Sequence, residues 1–233
     1  MLERKYRFLS QETLKLIACI TMFIDHFGEV IVPELPTPYI RELYYIFRTI
    51  GRISFPIYCF LLVEGMRYTH NPYKYLLRLA IGIPLAELPY DYLFEGRFTW
   101  EYQNVLLTLT LGALMLLCMQ KTEKKMLKAL LVIPFALLAE LCKCDYGGFG
   151  IGIIAVFAFV DRLNLQAIGV LLLGLAMVSA RGIPVQPFAV LAMIPIAGYS
   201  GVKRTRSKVI QWGFYMFYPM HMLILWLISL ILW

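Results

Sequence analysis

The sequence predicts an all-α, polytopic integral membrane bundle of about nine transmembrane helices, N-terminus inside and C-terminus outside. Three observations lead there. The composition is 60% hydrophobic and only 16% charged, with a mean hydropathy of +0.69, whereas soluble domains carry roughly 25% charged residues. Apolar runs of spanning or near-spanning length recur along the 233 residues, separated by short polar loops. Lys and Arg collect in alternate loops.

The first run, 14–32, follows Arg4, Lys5 and Arg7 and has the look of a secretory signal. It lacks an A-x-A cleavage site and carries Asp25 and His26, so it reads as a retained span. The runs 44–66, 75–94, 103–119 and 127–142 follow, each set off by polar or basic residues. The sixth, 147–160, and the eighth, 185–198, are short, and Pro187 and Pro195 predict an irregular eighth segment. Between them lies 165–180, and 210–232 closes the chain. No stretch is polar and long enough to fold outside the bilayer, so residues 1–233 are expected to form a single membrane domain.

With the N-terminus inside, the inner segments hold Arg4, Lys5, Arg7, Lys15, Arg67, Lys74, Arg78, Lys121, Lys124, Lys125, Lys128, Arg162, Lys203, Arg204, Arg206 and Lys208. The outer segments hold Arg41, Arg97, Lys143 and Arg181, and this asymmetry of 16 against 4 orients the chain. It also accounts for the net charge of +7 without nucleic acid, because the basic residues are dispersed through loops. The five cysteines form no framework; Cys142 and Cys144 flank Lys143 without the ligand spacing of a zinc site, and no metal is expected. In "GGFGIG" the glycines lack dinucleotide-fingerprint spacing and read instead as close helix contacts.

Orientation converts positions into depths. Asp25 and His26 fall in the outer half of the first span, Arg48 and Arg52 in the outer half of the second, Glu87 and Asp91 in that of the third. Ionisable groups in lipid face the bundle interior and pair, so this layer reads either as helix-holding ion pairs or as a site. His26, beside those charges, is the candidate catalytic group, with Asp25, Arg52 and His221 as partners. His221 lies about 15 Å into the last span, near mid-depth. Asp25 projects roughly 100° from His26 and need not orient it.

Lys15 and His26 are eleven residues apart, about three helical turns, and so share a face roughly 16.5 Å apart along the axis. A donor with an anionic head and a thin reactive tail fits that line, and acetyl-CoA has this shape. Lys15, with Arg67, Lys74 and Arg78, is placed to hold its phosphates, although the same residues serve as positive-inside anchors. Neutral His26 can act as general base or carry the acetyl group itself, and Arg52 or a hydroxyl can stabilise the oxyanion.

The segments "LKLIACITMFIDHFGEV", "IGRISFPIYCFLLVEGMRYTHN", "YKYLLRL", "QNVLLTLTLG", "DYGGFG" and "FYMFYPMHMLIL" resemble the TraX family, whose named member acetylates the N-terminus of a conjugative pilin. More distantly they resemble acyltransferase family 3, which has a basic residue, ten residues, then histidine in its first membrane region; Lys15 to His26 matches. The resemblance implies a catalytic His26 and gives weight to Asp25, Arg52, Asp145, Tyr146 and His221. It also implies acetyl-CoA as donor, residence in the bacterial cytoplasmic membrane, and a peptide, glycan or small-molecule acceptor reached from outside. Two other functions fit the same charges: a proton-coupled transporter, which more often shows an internal repeat, and a noncatalytic scaffold.

Overall fold

The computed structural model describes residues 8–202 and 207–232; Arg4, Lys5, Arg7, Lys203, Arg204 and Arg206 lie outside them, as does the Lys208 side chain. All regular structure among the described residues is helical: α1 (Gln11–Val30), α2 (Ile40–Gly51), α3 (Ser54–Tyr68), α4 (Pro72–Phe94), α5 (Val105–Met119), α6 (Lys125–Leu141), α7 (Gly147–Phe159), α8 (Leu163–Arg181), α9 (Met193–Ala197) and α10 (Lys208–Leu232). Extended pairing is confined there to isolated bridges, Leu9 with Tyr199 and Gln103 with Cys144.

Among the described residues four segments are long and apolar enough to cross a membrane: Gln11–Glu34, Ile40–Tyr68, Leu163–Arg181 and Val209–Leu232. Val105–Met119, Gly147–Phe159 and Gln186–Ala197 are apolar but shorter. Helix α4 has the length, 23 residues, but carries Lys74, Arg78, Glu87 and Asp91 along it. The protein is a membrane protein, since lipid leaves only internally hydrogen-bonded helices for such runs.

The chain divides into two compact units, Met1–Tyr58 with Arg162–Trp233, and Cys59–Asp161. In the first, the Ser10 side chain starts α1 by accepting the Thr13 N–H at 3.2 Å. Just before it, Leu9 N–H donates to Gly198 O at 2.8 Å and Leu9 O accepts from Ser200 N–H at 2.9 Å, tying the start of α1 to the segment that precedes α10. Helix α1 packs against α2 and α10. Glycine sets the first of these contacts: a Cβ on Gly28 would stand 2.5 Å from Phe47 Cβ, and one on Gly51 would collide with the Asp25 carboxylate.

The sequence suggests one continuous helix over 44–66, but the chain breaks at Arg52 and Ile53. Pro56 explains the break, because it has no N–H to return to Arg52 and its ring crowds that carbonyl. The eighth segment is irregular as its prolines predict: Gln186–Ala192 is a 3-10 helix, followed by the single turn of α9.

In the second unit α4, α6 and α7 pack on α5. Asn71 and Asn104 cap α4 and α5, accepting the Lys74 and Leu106 N–H groups at 2.9 and 3.0 Å. Lys143 (φ 52) and Gly147 (φ 50) turn the chain between α6 and α7.

Candidate functional site

The first unit holds a buried ionic cluster built from α1, the break after α2, and the 3-10 helix. Asp25 is 8% exposed and Arg52 is 6% exposed. Asp25 Oδ2 receives Arg48 Nη1 at 2.9 Å and also the Arg52 Nη2 donor. Arg48 Nε reaches Glu29 Oε2 at 2.7 Å, an oxygen that also accepts from Tyr44 OH at 3.1 Å. Arg52 donates its Nε to Arg48 O at 3.3 Å and its Nη1 to Gln186 Oε1 at 3.2 Å. Carboxylates in register with two arginines thus replace the solvation these charges lose on burial.

His26 leaves α1 about 100° around the helix from Asp25 and meets a different partner. Its Nδ1 lies 2.8 Å from His221 Nε2, and His221 Nδ1 lies 2.8 Å from Phe217 O. The carbonyl can only accept, so His221 Nδ1 carries the hydrogen. In a neutral pair His221 Nε2 is then the acceptor, His26 Nδ1 donates to it, and the lone pair of His26 is placed on Nε2. The relay is held rigidly: His221 is 3% exposed and the Phe217 ring stacks on it, 4.8 Å between centroids at 10°. Arg48 and Arg52 meet at Asp25, the residue that precedes His26.

Lys15 shares the face of His26 on α1, and its Nζ sits 5.5 Å from the centre of the Phe214 ring. Phe214 and His221 are two turns apart on α10, so the Lys15–His26 face of α1 meets one face of α10 with the helices running in the same direction.

The remaining residues singled out in the sequence belong to the second unit. Arg67, at the end of α3, is half-exposed and makes loose pairs with Glu64 (3.9 Å) and Asp161 (3.7 Å). Lys74 and Arg78 are exposed, one turn apart at the start of α4, where Arg78 Nε donates to Lys74 O at 3.1 Å. Asp145 is exposed and Tyr146 buried, both just before α7. Asp145 N–H donates to Gln103 O at 3.0 Å, at the start of α5, whereas Gln120 past its end donates to Met66 O at 3.0 Å, beside Arg67. The 15 residues of α5 therefore separate Asp145 and Tyr146 from Arg67 by about 22 Å.

Glu87 and Asp91 are also in this unit, and they have their own donors: Glu87 Oε2 accepts from the Asn104 side-chain amide, and Asp91 Oδ2 accepts the Thr99 N–H at 3.0 Å. The carboxylates that hold Arg48 are Asp25 and Glu29, from α1. Sequence reasoning passed over Glu29 and Gln186. Glu29 sits four residues from Asp25, an ordinary same-face signal. Gln186 had only a weak one, a lone amide at the head of an apolar, proline-marked segment.

The family profile described as "TraX protein" matches residues 10–229. A probable fimbrial assembly protein, FimC of serogroup H1 from Dichelobacter nodosus, is 32% identical over 91% of this chain and 92% of its own length. An uncharacterized protein of Rickettsia prowazekii (strain Madrid E) is 32% identical over 44% of this chain and 34% of its own. No solved structure matches the chain. The match reaches from the start of α1 almost to the end of α10 and contains every residue of the Asp25 cluster and the histidine relay, so the chain belongs to the TraX family.

Proposed function

We propose that the protein is an integral membrane acetyltransferase that moves an acetyl group from cytoplasmic acetyl-CoA to an amine or hydroxyl at the extracytoplasmic side. The observation that carries this reading is the Phe217–His221–His26 relay, which puts a lone pair on His26 Nε2, next in sequence to the Asp25 that gathers Arg48 and Arg52. A neutral imidazole held in one tautomer is suited to take the proton of an attacking amine. Asp25 acts on the arginines rather than on the imidazole. The name of the Dichelobacter relative, a probable fimbrial assembly protein, supports a pilin-like peptide N-terminus as acceptor.

Nine spans with the N-terminus in the cytoplasm complete the proposal, in a bacterial inner membrane. The tie between the starts of α1 and α10, and their common direction, support termini on opposite faces. Lys15 would then hold the acetyl-CoA phosphates from the cytoplasmic end of α1. In the second unit Lys74 and Arg78 also suit phosphate, since two exposed cations there share the positive end of a helix.

The test is to supply purified protein with acetyl-CoA and a peptide bearing a free N-terminus, following CoA thiol release and peptide mass. Wild type should release thiol and add one acetyl group. His26→Ala should abolish turnover, and Lys15→Ala should raise the KM for acetyl-CoA while largely sparing kcat. Wild type that neither binds nor consumes acetyl-CoA, with peptides or with cell extracts as acceptors, refutes the proposal. Flux of a solute without acetyl-CoA loss would favour a transporter.

A further inference from the structure

Gln186 opens the 3-10 helix that follows α8 and is completely buried. It is pressed there by a close helix contact: a Cβ on Gly174 of α8 would stand 2.9 Å from Pro187 Cα and 3.0 Å from Gln186 O, so only glycine allows the approach. The orientation of its amide follows from chemistry. Arg52 Nη1 lies 3.2 Å from Oε1, and a guanidinium can only donate, so Oε1 faces the arginine and Nε2 turns its hydrogens elsewhere. Among the described residues Nε2 meets no acceptor. Buried amide donors are nearly always paired, so one held this firmly without a partner is the kind of group a ligand oxygen completes.

Arg52, the residue the sequence offers as an oxyanion donor, is committed otherwise. Its Nε, Nη1 and Nη2 go to Arg48 O, Gln186 Oε1 and the Asp25 carboxylate. Its charge still reaches the site through Gln186. A cation bonded to an amide oxygen draws density from the amide and makes its N–H groups better donors. Asp25 and Arg48 hold the arginine in place, and Arg52 holds the amide.

We infer that Gln186 Nε2 is the donor that binds the carbonyl oxygen of the acetyl thioester and receives the charge that develops there. The inference rests on the acetyltransferase reading above. In the step, the acceptor nitrogen bonds to the acetyl carbon and the carbonyl π pair moves to oxygen, which Gln186 Nε2–H stabilises. His26 Nε2 takes the proton released by that nitrogen. The oxyanion then collapses, the carbon–sulfur bond breaks, and the proton passes to sulfur to give free CoA and the acetylated amine. Gln186 neither gains nor loses a proton.

The experiment uses the full chain in lipid nanodiscs and two unreactive analogues. One is the ketone in which a methylene replaces the thioester sulfur of acetyl-CoA, which keeps the carbonyl oxygen; the other is the ethyl thioether of CoA, which lacks it. Wild type should bind the ketone about tenfold more tightly. Gln186→Leu, and Gln186→Glu, which retains an oxygen for Arg52 but no amide donor, should bind the two nearly equally, with thioether affinity unchanged. Both should lower kcat about 10²-fold and raise the KM for acetyl-CoA by up to about tenfold, the ground-state share of the same contact. Wild type that binds both analogues equally overturns the role of Gln186, a result that needs no variant to fold, and so does a preference kept in Gln186→Leu. Wild type that binds neither analogue and does not consume acetyl-CoA removes the acetyltransferase reading itself.

Discussion

Replacing Asp25 by alanine should be the most destabilising single truncation in the ionic cluster. The side chain is 11% exposed and serves two guanidiniums, Arg48 at 2.9 Å and Arg52 through Nη2. Breaking a buried pair by removing one partner costs about 3–5 kcal/mol, because a charge is left without its counter-ion. Each arginine retains some support here: Arg48 keeps Glu29 at 2.7 Å, and Arg52 keeps Gln186 and Arg48 O. The loss should therefore lie near the lower bound, about 3 kcal/mol. Glu29→Ala provides the contrast, since that side chain is 34% exposed and its removal should cost less than about 1 kcal/mol. The assay is reversible unfolding of the purified protein in mixed micelles. Adding Arg52→Met to Asp25→Ala should recover part of the loss, because the stranded cation is gone. Asp25→Ala within about 1 kcal/mol of wild type, or a loss unchanged by removing either arginine, would refute the cluster as the element that joins α1 to α2.

His221→Phe removes the acceptor of His26 Nδ1 while keeping an aromatic ring against Phe217. With the tautomer no longer held, acetyl transfer should fall about 10²- to 10⁴-fold in kcat, with the KM for acetyl-CoA nearly unchanged; activity above half of wild type in folded protein would break the relay. Burial, with Cys142 next to it, pushes the Cys144 thiol between α6 and α7 from 9.0 up to about 12. The folded state then keeps this proton where the unfolded chain releases it, so its contribution is complete below about pH 9 and is lost as pH rises from about 9 to about 12. Cys144→Ser should flatten that alkaline decline in unfolding curves, and alkylation of Cys144 in the native protein should stay slow up to about pH 10.

Much of the candidate site is legible in the sequence. Asp25 and His26 stand out because ionisable groups in apolar runs need a reason, and Arg48 and Arg52 fall at the matching depth. The 100° step meant that Asp25 need not orient His26, and in the structure Asp25 meets the arginines while His26 meets His221. The partners of Glu87 and Asp91 were not legible: they lie in the second unit and accept from Asn104 and Thr99. Depth along a span carries no information about which helix stands alongside it.

The sequence by itself determined the class of the molecule and the direction of its side chains. Apolar runs in lipid must satisfy their backbone groups internally, so helices follow from composition, and helical period then places Lys15 and His26 on one face. Tertiary structure alone decided the partners. His26 and His221 are 195 positions apart and Arg52 and Gln186 are 134 apart, separations at which no local period survives. Period sets the angle at which a side chain leaves its own helix; only packing, through Gly28, Gly51 and Gly174, decides what waits at that angle.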